Sequence, residues 1–205
     1  MQHKASKDDE RRNFFDAHAE GWETKNYSPE VLAGVEKMLG GLPLPVGGTI
    51  LDVGCGQGIL IPFLRGLAGK EARLVALDAS ANMLRAISTK DPLVTALHSP
   101  AEKIPLIDEY VDAILCFAAF PHFSDKAAAA REFFRVLKPG GTAYVLHLMG
   151  REAIGRHHDG HHAVHGDHLP CEHGMKTMFG EAGFTVLKLK DEPDGYFFSA
   201  SKESR

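Results

Sequence analysis

Apolar segments of strand length alternate with helix-like segments along most of the chain. Five short apolar runs have the character of buried strands, at residues 49–54, 72–78, 93–98, 111–117 and 142–149. Segments with helical spacing lie between them, at 59–69, 80–89 and 125–137. Strands that alternate with helices form crossover units, and such units build a parallel sheet that is buried on both faces.

The N-terminal part of the chain is predicted to be helical. Apolar and aromatic positions between residues 10 and 39 repeat at helical spacing, and Ser28 followed by Pro29 is a typical helix start. The segment 40–48, rich in glycine and proline, then forms a linker to the first strand.

The C-terminal part predicts a different arrangement of strands. A helix at 172–183 ends at Gly183, and the segments 184–192 and 195–202 alternate apolar and polar positions around a Pro-Asp-Gly turn. These two segments form an antiparallel hairpin at the edge of the sheet. The predicted fold is therefore α/β: a Rossmann-like, doubly wound, mostly parallel seven-stranded sheet with an antiparallel C-terminal hairpin and helices on both faces.

Composition is consistent with one globular domain. The chain has 205 residues, 44% hydrophobic and 24% charged, and a formal net charge of −4. That charge, with scattered basic residues, supports neither a nucleic-acid nor a membrane partner. The polar N-terminus and the three widely spaced cysteines are typical of a cytoplasmic protein with reduced thiols. Whether the protein is a monomer or a homodimer stays open.

A glycine-rich loop follows the first strand and precedes a helix. It is LDVGCGQG, residues 51–58, and Asp78 lies twenty residues beyond Gly58 at the end of the second strand. Glycines let a backbone turn sharply and approach a ligand, and a carboxylate at the end of the second strand can accept hydrogen bonds from ribose hydroxyls. The loop therefore fits any cofactor that contains adenosine, including NAD.

Two details favour a cofactor without phosphate. A dinucleotide-binding loop that starts at Gly54 needs its third glycine at position 59, where this chain has Ile59. The carboxylate of Asp52 would repel a pyrophosphate but suits an ammonium group. S-adenosylmethionine (SAM) has an ammonium group, a sulfonium and no phosphate. An NAD(P)-dependent oxidoreductase with an atypical loop remains the alternative.

Four motifs in order resemble those of a known family. They are ILDVGCGQG, VALDAS, SPAEKIPLIDEYVDAILCFAAFPHFSD and EFFRVLKPGGTAYVLH, and the earlier stretch NFFDAHAEGWE resembles the start of one branch. The chain is similar to class I SAM-dependent methyltransferases of the ubiquinone/menaquinone-biosynthesis-like branch (methyltransferase domain 11/25 type), from about residue 13 to about residue 148.

The resemblance implies a single methyltransferase domain over 1–205 with SAM as cofactor. Its parts would be a helical lid (1–45), a cofactor-binding core (46–149), a histidine-rich acceptor-side loop (150–172) and the last helix with the hairpin (173–205). The implied activity is methyl transfer to a small-molecule acceptor.

The resemblance also implies roles for individual residues. Those near the methionine part of the cofactor are Asp52, Gly54, Cys55, Gly56 and Gly58. Those near the ribose and adenine are Asp78, Ala79, Met83, Ala101 and Glu102. Those beside the methyl group or in the lid are Phe117, Ala118, Phe15, Trp22 and Tyr27.

Several of these residues have a plain structural alternative. Asp52 and Asp78 could cap the helices that follow them. Met83, Phe15 and Trp22 have the spacing of ordinary core residues.

Methyl transfer from a sulfonium needs alignment first, and a base only for some acceptors. Alignment of reactants can contribute about 7–11 kcal/mol, and a general base helps when the acceptor is an alcohol, phenol or amine. His122 and His147, near the ends of the fourth and fifth strands, are the candidate bases, although either could be an ordinary hydrogen-bonded histidine. The apolar stretch from Phe117 lacks an Asn-Pro-Pro-Tyr motif, which disfavours DNA-base or protein-amide methylation.

Half of the chain's histidines lie in one stretch, GRHHDGHHAVHGDH, residues 155–168. His157, His161 and His165 are four residues apart, so a helix would place them on one face, where they could hold a metal ion. His158 and His162 form a second such pair, and Asp167, His168, Cys171 or His173 could complete a metal shell. The Asp159–Gly160 pair argues against one unbroken helix. A metal site, a substrate lid and a solvated loop all remain possible, as does a SAM-binding protein with a metal-responsive loop.

Overall fold

Residues 6–160 and 162–204 of the computed structural model form a seven-stranded mixed sheet surrounded by helices. The strands are β1 Thr49–Val53, β2 Arg73–Asp78, β3 Thr95–His98, β4 Val111–Phe117, β5 Leu137–His147, β6 Thr185–Glu192 and β7 Gly195–Ser201. The helices are α1 Lys7–His18, α2 Trp22–Asn26, α3 Pro29–Leu39, α4 Ile61–Ala68, α5 Ala81–Leu84, α6 Ile87–Lys90, α7 Lys126–Val136, α8 Arg151–Asp159 and α9 Glu172–Glu181. Within the described part of the chain, no helix is both long enough and apolar enough to cross a membrane.

The sheet has the predicted doubly wound topology. Its strand order is β3-β2-β1-β4-β5-β7-β6. Strands β1 to β5 pair in parallel, whereas β7 pairs antiparallel with both β5 and β6. The chain winds outward in opposite directions from β1 and β4, so a crevice opens between the carboxyl ends of these two strands.

Both faces of the sheet are covered by apolar helix faces. One face packs against α3, α4 and α6 through buried Leu39, Leu64 and Ile87. The opposite face packs against α7 and α9, whose Phe133 and Phe179 are fully buried. The central strands are therefore apolar on both faces, as the continuous apolar runs predict.

The structure differs from the predicted elements in several places. Strand β5 begins at Leu137, before the Lys-Pro-Gly-Gly segment that was expected to precede it, because the backbones of Gly140 and Gly141 pair with Lys202. The single helix predicted at 80–89 is two short helices, and the N-terminal region is divided into three. The predicted loop at 150–172 begins with the helix α8.

Replacing Lys202 by methionine is expected to lower the free energy of unfolding by about 2–3 kcal/mol. The buried Lys202 ammonium donates hydrogen bonds to the carbonyls of Phe134 and Leu137, at 3.0 and 2.9 Å. Methionine keeps the apolar stem but leaves both carbonyls without this donor. Urea denaturation measures the change, and the exposed Lys190→Met on β6 is the control. Equal stability of the two variants would contradict this role of the ammonium.

Candidate cofactor and acceptor site

A cavity of about 680 Å³ opens at the carboxyl ends of the parallel strands. It lies where the strand order reverses between β1 and β4, the position at which open α/β sheets bind ligands. Nearly all the residues singled out from the sequence line it. Those from the cofactor set are Phe15, Trp22, Tyr27, Asp52, Gly54, Cys55, Gly56, Asp78, Ala79, Met83, Ala101, Glu102, Phe117 and Ala118, and those from the acceptor set are His122, His147 and His157.

Gly58 does not line the cavity. Its φ is +79°, and a Cβ there would lie 2.5 Å from Ile61 Cδ1 and 2.9 Å from Ile87 Cδ1. The absent side chain thus makes room for apolar packing under the loop. Spacing along the sequence could not separate this packing role from ligand contact.

The loop after β1 is held against β2 by its backbone. The N–H groups of Gly54 and Cys55 both donate to the carbonyl of Leu77, at 2.8 and 3.1 Å. Gly54 has φ +71°, and a Cβ there would lie 2.2 Å from Ala119 Cβ. The loop after β4 therefore touches the glycine backbone directly, and the two loops together form the floor of the cavity.

Asp52 is a buried carboxylate with an unsatisfied oxygen. The residue is 3% exposed, and Oδ2 has no hydrogen-bond partner in the described part of the chain. Burial, with a smaller effect of the nearby Asp78, raises the pKa of Asp52 to about 8. Asp52 does not cap the next helix, since α4 begins after Leu60 without a side-chain cap. A buried acceptor without a partner, facing a cavity, is the feature expected where a cationic group of a ligand binds.

Asp78 connects the two sides of the cofactor cleft. Its carboxylate accepts hydrogen bonds from the N–H groups of Gly56 and Ser80, both at 2.8 Å. Burial raises its pKa, although these two hydrogen bonds act in the opposite direction. The side chain that caps α5 belongs to Ser80, which accepts from the N–H of Met83. Since each carboxylate oxygen can accept more than one hydrogen bond, Asp78 can still bind ribose hydroxyls.

The N-terminal helices lie over this cleft. Asp16 on α1 accepts hydrogen bonds from the Ser80 hydroxyl and the Asn82 N–H, at 2.5 and 3.2 Å. Gln57 of the glycine-rich loop donates to the carbonyl of Ala19 at 2.9 Å. Phe15 and Trp22 meet edge to face, with ring centroids 5.7 Å apart. The polar contacts of Asp16 and Ala19 thus hold the N-terminal helices against the cavity, and Phe15 and Trp22 line it.

The remaining predicted residues form the walls. The carboxylate of Glu102 accepts from the N–H groups of Ser124 and Asp125, at 2.8 and 3.2 Å, and so orders the loop after β4. Ala118 has φ +54°, a left-handed conformation that is uncommon for alanine and concentrates at functional sites. Met83 is both a core residue and part of the lining, so its two interpretations are compatible.

His122 and His147 both reach the cavity, but their surroundings differ. His122 Nδ1 lies 2.9 Å from Asp167 Oδ2, and its ring meets Phe15 edge to face and lies tilted against His158. His147 is buried at the cavity wall, and its Nε2 has no hydrogen-bond partner in the described part of the chain. Burial, with the nearby His122 and His158, lowers the pKa of His147 to about 3. His147 is therefore neutral at physiological pH and a much weaker base than an ordinary histidine.

Asp167 and Arg11 are the residues that sequence reasoning missed at this site. Arg11 on α1 binds the Asp167 carboxylate through two hydrogen bonds of 2.8 Å each. Asp167 appeared in the sequence only as a possible metal ligand, and Arg11 was not singled out. Arg11 is one of several charged residues in a mostly polar first helix, so the sequence carries no signal that separates it from its neighbours.

The histidine-rich stretch does not form one helical face. Helix α8 ends at Asp159 with Gly160 as its C-cap, as the Asp-Gly pair predicts, so His157 lies on the helix and His165 lies in a turn beyond it. His161 lies outside the described residues. His158 is buried, and its Nδ1 lies 2.6 Å from the carbonyl oxygen of Asp167. In residues 6–160 and 162–204, no three His, Cys, Asp or Glu side chains are grouped so that they could hold a metal ion.

Comparison with known proteins shows which family this chain resembles. Residues 51–145, which run from β1 into β5 and include the cavity floor, match the family model described as methyltransferase domain. This match spans just under half of the chain, which is similar over that part to SAM-dependent methyltransferases. SAM is the cofactor that this similarity implies. The matches do not favour the NAD(P)-dependent oxidoreductase or the metal-responsive binding protein.

Two curated relatives resemble about half of the chain. A demethylmenaquinone methyltransferase of Chlorobaculum tepidum is 36% identical over 100 residues, which are 49% of this chain and 40% of that protein. A 2-phytyl-1,4-naphtoquinone methyltransferase of Thermosynechococcus vestitus is 35% identical over 108 residues, 51% of this chain and 48% of that protein. The matched part thus spans less than half the length of either relative.

The fold is shared with solved methyltransferase structures over the whole chain. A SAM-dependent methyltransferase from Aquifex aeolicus superposes with a TM-score of 0.70 and 24% sequence identity, and the match covers 97% of this chain and 100% of that chain. At this identity the likeness confirms the predicted fold.

Proposed function

We propose that this chain transfers a methyl group from SAM to a small-molecule acceptor by in-line displacement. The observation that carries the proposal is the unpartnered Asp52 carboxylate, which lies buried in the cavity beside the glycine-rich loop. When bound, SAM supplies an electrophilic methyl group on a positively charged sulfur, which leaves as a neutral thioether. The protein then has to bind both reactants, align them and exclude water.

The residues that line the cavity match the chemical groups of this cofactor. Asp52 would bind the ammonium group and Asp78 the ribose hydroxyls, while Gly54 and Gly56 let the backbone approach the methionine part. Met83, Ala101 and Glu102 line the portion of the cavity where the adenine would lie, and Phe15, Trp22 and Tyr27 would cover it. Phe117 and Ala118 would lie beside the transferable methyl group.

A small acceptor is supported by the size and chemistry of the cavity. About 680 Å³ is within the usual range of small-molecule sites, roughly 300–1,000 Å³. The relatives named above act, by their names, on quinone-type compounds. Of the two candidate bases, His122 is the stronger candidate, because the pKa of about 3 makes His147 a poor proton acceptor.

Two measurements test the proposal. Calorimetric titration with S-adenosylhomocysteine (SAH), with NADH as the comparison ligand, measures cofactor choice. Incubation with methyl-labelled SAM and an extract of cell metabolites then measures transfer of the label to small molecules. We expect binding of SAH alone and label in the small-molecule fraction. Binding of NADH in place of SAH, or label confined to protein or nucleic acid, would overturn the proposal.

Replacing Asp78 by alanine is expected to weaken SAH binding by roughly 10- to 100-fold, because hydrogen bonds to a charged group contribute about 1.5–3 kcal/mol. The variant also loses the acceptor for the Gly56 N–H. Calorimetry measures the affinity, and circular dichroism verifies the fold. The control is Asp108→Ala, an exposed carboxylate that precedes β4 at the opposite end of the sheet. An unchanged affinity in Asp78→Ala would refute the ribose role.

A further inference from the structure

Three residues from distant parts of the chain form a hydrogen-bonded series at the acceptor side of the cavity. Arg11 donates from Nε and Nη2 to the two oxygens of Asp167, and His122 Nδ1 contacts Oδ2 of the same carboxylate at 2.9 Å. Asp167 is 2% exposed, and Lys7 Nζ lies 3.3 Å from its Oδ1. Because Arg11 and Lys7 hold the Asp167 carboxylate in place, the carboxylate fixes the orientation of the His122 imidazole.

The charge of Asp167 determines which nitrogen of His122 carries the proton. Burial of Asp167 acts to raise its pKa, but the hydrogen bonds from His122 and Arg11 outweigh burial and hold the pKa well below its usual range. Asp167 is therefore ionised and can only accept, so His122 must donate from Nδ1. Nε2 is then the unprotonated atom of a ring that lines the cavity. A carboxylate that orients an imidazole in this way makes the opposite nitrogen a general base.

The rest of the acceptor side offers hydrogen-bond acceptors and apolar surface. His158 Nδ1 faces the backbone carbonyl of Asp167, which can only accept, so His158 also has its unprotonated nitrogen at Nε2. Phe123, Leu148 and Ile154 provide apolar lining around these rings. A molecule that matches this wall has a hydrogen-bond donor on an apolar body.

The basicity of an imidazole limits the kind of hydroxyl it can activate. General-base catalysis is most effective when the acidity of the donor is not far from that of the base. A phenolic hydroxyl has a pKa of about 10, whereas water has a pKa of about 16. Burial lowers the pKa of His122, and a less basic imidazole favours a more acidic hydroxyl over a water-like alcohol. A phenol or an enol, whose anion is stabilised by conjugation, is within reach.

We infer that His122 is the catalytic base of this site, that Asp167 positions it, and that the acceptor reacts through a phenolic or enolic hydroxyl. The inference rests on the proposed methyl transfer. The hydroxyl proton moves to His122 Nε2, and the acceptor oxygen forms a bond to the methyl carbon. The electron pair of the broken carbon–sulfur bond stays on sulfur. The products are a methyl ether, SAH and an imidazolium that Asp167 stabilises.

The charges around His122 give the pH dependence a definite sign. The hydrogen bond and charge of Asp167 raise the pKa of His122, whereas burial and the positive charges of Arg11 and Lys126 lower it. Removing the Asp167 charge should therefore move the protonation of His122 to lower pH, and removing Arg11 should move it to higher pH. The titratable and charged groups of the neighbouring elements are Lys7, Asp8 and Arg11 on α1, Glu102, Lys126 on α7, His147 on β5, His158 on α8, and Asp167.

Acceptor class is tested with wild-type protein and methyl-labelled SAM. The probes are phenol, 1-naphthol and catechol as hydroxyl acceptors, and benzylamine and benzyl thiol as comparisons. We expect methyl ethers from the aromatic hydroxyl compounds and no transfer to the amine or thiol. Transfer only to the amine or thiol would overturn the inference while leaving the proposed methyl transfer intact. Failure to bind SAH would instead remove the proposed function itself.

The role of the histidine is tested with His122→Gln, Asp167→Asn and Arg11→Gln, and with the exposed His18→Gln as control. His122→Gln should lower kcat about 10²- to 10⁴-fold with SAH affinity unchanged. Nitrogen NMR of the imidazole, measured without cofactor, should show Nδ1 protonated in the wild type. The titration of His122 should move to lower pH in Asp167→Asn and to higher pH in Arg11→Gln, and the acidic limb of kcat/KM should move with it.

These readouts separate a positioning role from a structural one. If Asp167 only held α1 in place, Asp167→Asn and Arg11→Gln would reduce activity together and move the titration of His122 in the same direction or not at all. A His122→Gln variant with wild-type kcat would also overturn the inference. If Asp167→Asn does not fold, the titration of His122 in Arg11→Gln decides alone. A shift to higher pH supports the inference, and a shift to lower pH or no shift overturns it.

Discussion

Raising the pH from about 6 to about 8 is expected to tighten SAH binding by roughly tenfold per unit. In the free protein the Asp52 pKa of about 8 keeps that carboxyl protonated over most of this range. Binding of the ligand ammonium requires the carboxylate, so each binding event releases one proton from Asp52. A process that releases one proton becomes tenfold more favourable for each unit of pH until the pKa is passed.

Calorimetry measures this effect in two independent ways. The affinity is determined at several pH values, and the proton release is determined from the heat of binding in two buffers of different ionisation enthalpy. Asp52→Asn is the matched variant, in which the pH dependence should disappear and binding at about pH 8 should be weak. If wild-type affinity does not change with pH, Asp52 does not bind the ammonium.

The same shift has a consequence for stability. The pKa of Asp52 is raised in the folded protein above its value in the unfolded chain, about 3.9. Its contribution to stability is therefore complete below about pH 4 and is lost as the pH rises toward 8. In the absence of ligand, Asp52→Asn should be more stable than the wild type at about pH 8, although it binds SAH less well.

Replacing Gly54 by alanine is expected to abolish measurable SAH binding. The new Cβ would overlap Ala119 Cβ at 2.2 Å, and the left-handed backbone at φ +71° costs an alanine about 1–2 kcal/mol. Relief of the overlap requires the loops after β1 and β4 to move apart, and these loops form the cavity floor. Calorimetry gives the affinity, and thermal unfolding shows how much of the loss is global.

Two further variants separate the overlap from the backbone cost. In Gly54→Ala with Ala119→Gly, the closest atom of residue 119 is its Cα at 3.7 Å, so only the backbone cost remains and binding should partly return. Gly47→Ala, with the same φ of +71°, no atom within 4 Å of the added Cβ and a position outside the cavity, is the control for backbone cost alone. If the double variant binds no better than Gly54→Ala, contact with Ala119 does not explain the loss.

The layout of the sheet and the floor of the site could be predicted because both follow from local patterns. Continuous apolar runs mark strands buried on both faces, and the carboxyl ends of parallel strands converge on one edge. Asp52, Asp78 and Glu102 follow or end such strands, so their meeting in one cavity follows from topology. The Lys-Pro-Gly-Gly segment, which lies within β5, was predicted to precede the strand because its backbone partner, Lys202, is distant in sequence.

The Arg11–Asp167–His122 series could not be predicted. Arg11 is 156 positions from Asp167, and Asp167 is 45 positions from His122. None of the three belongs to a repeating apolar pattern. Which charged side chains pair depends on how the first helix packs against the histidine-rich segment, and the sequence pattern does not show this packing. The separation of His157 from His165 was predictable for a local reason, since α8 ends at Asp159 as the Asp159–Gly160 pair indicates.

Trp22 is the only tryptophan of the chain, and it lies in the cavity wall beside Phe15. Its indole emission therefore comes from the cofactor cleft alone, with no background from another tryptophan. Ligand exchange and its response to pH can thus be followed in the unlabelled protein by intrinsic fluorescence, including on the stopped-flow timescale.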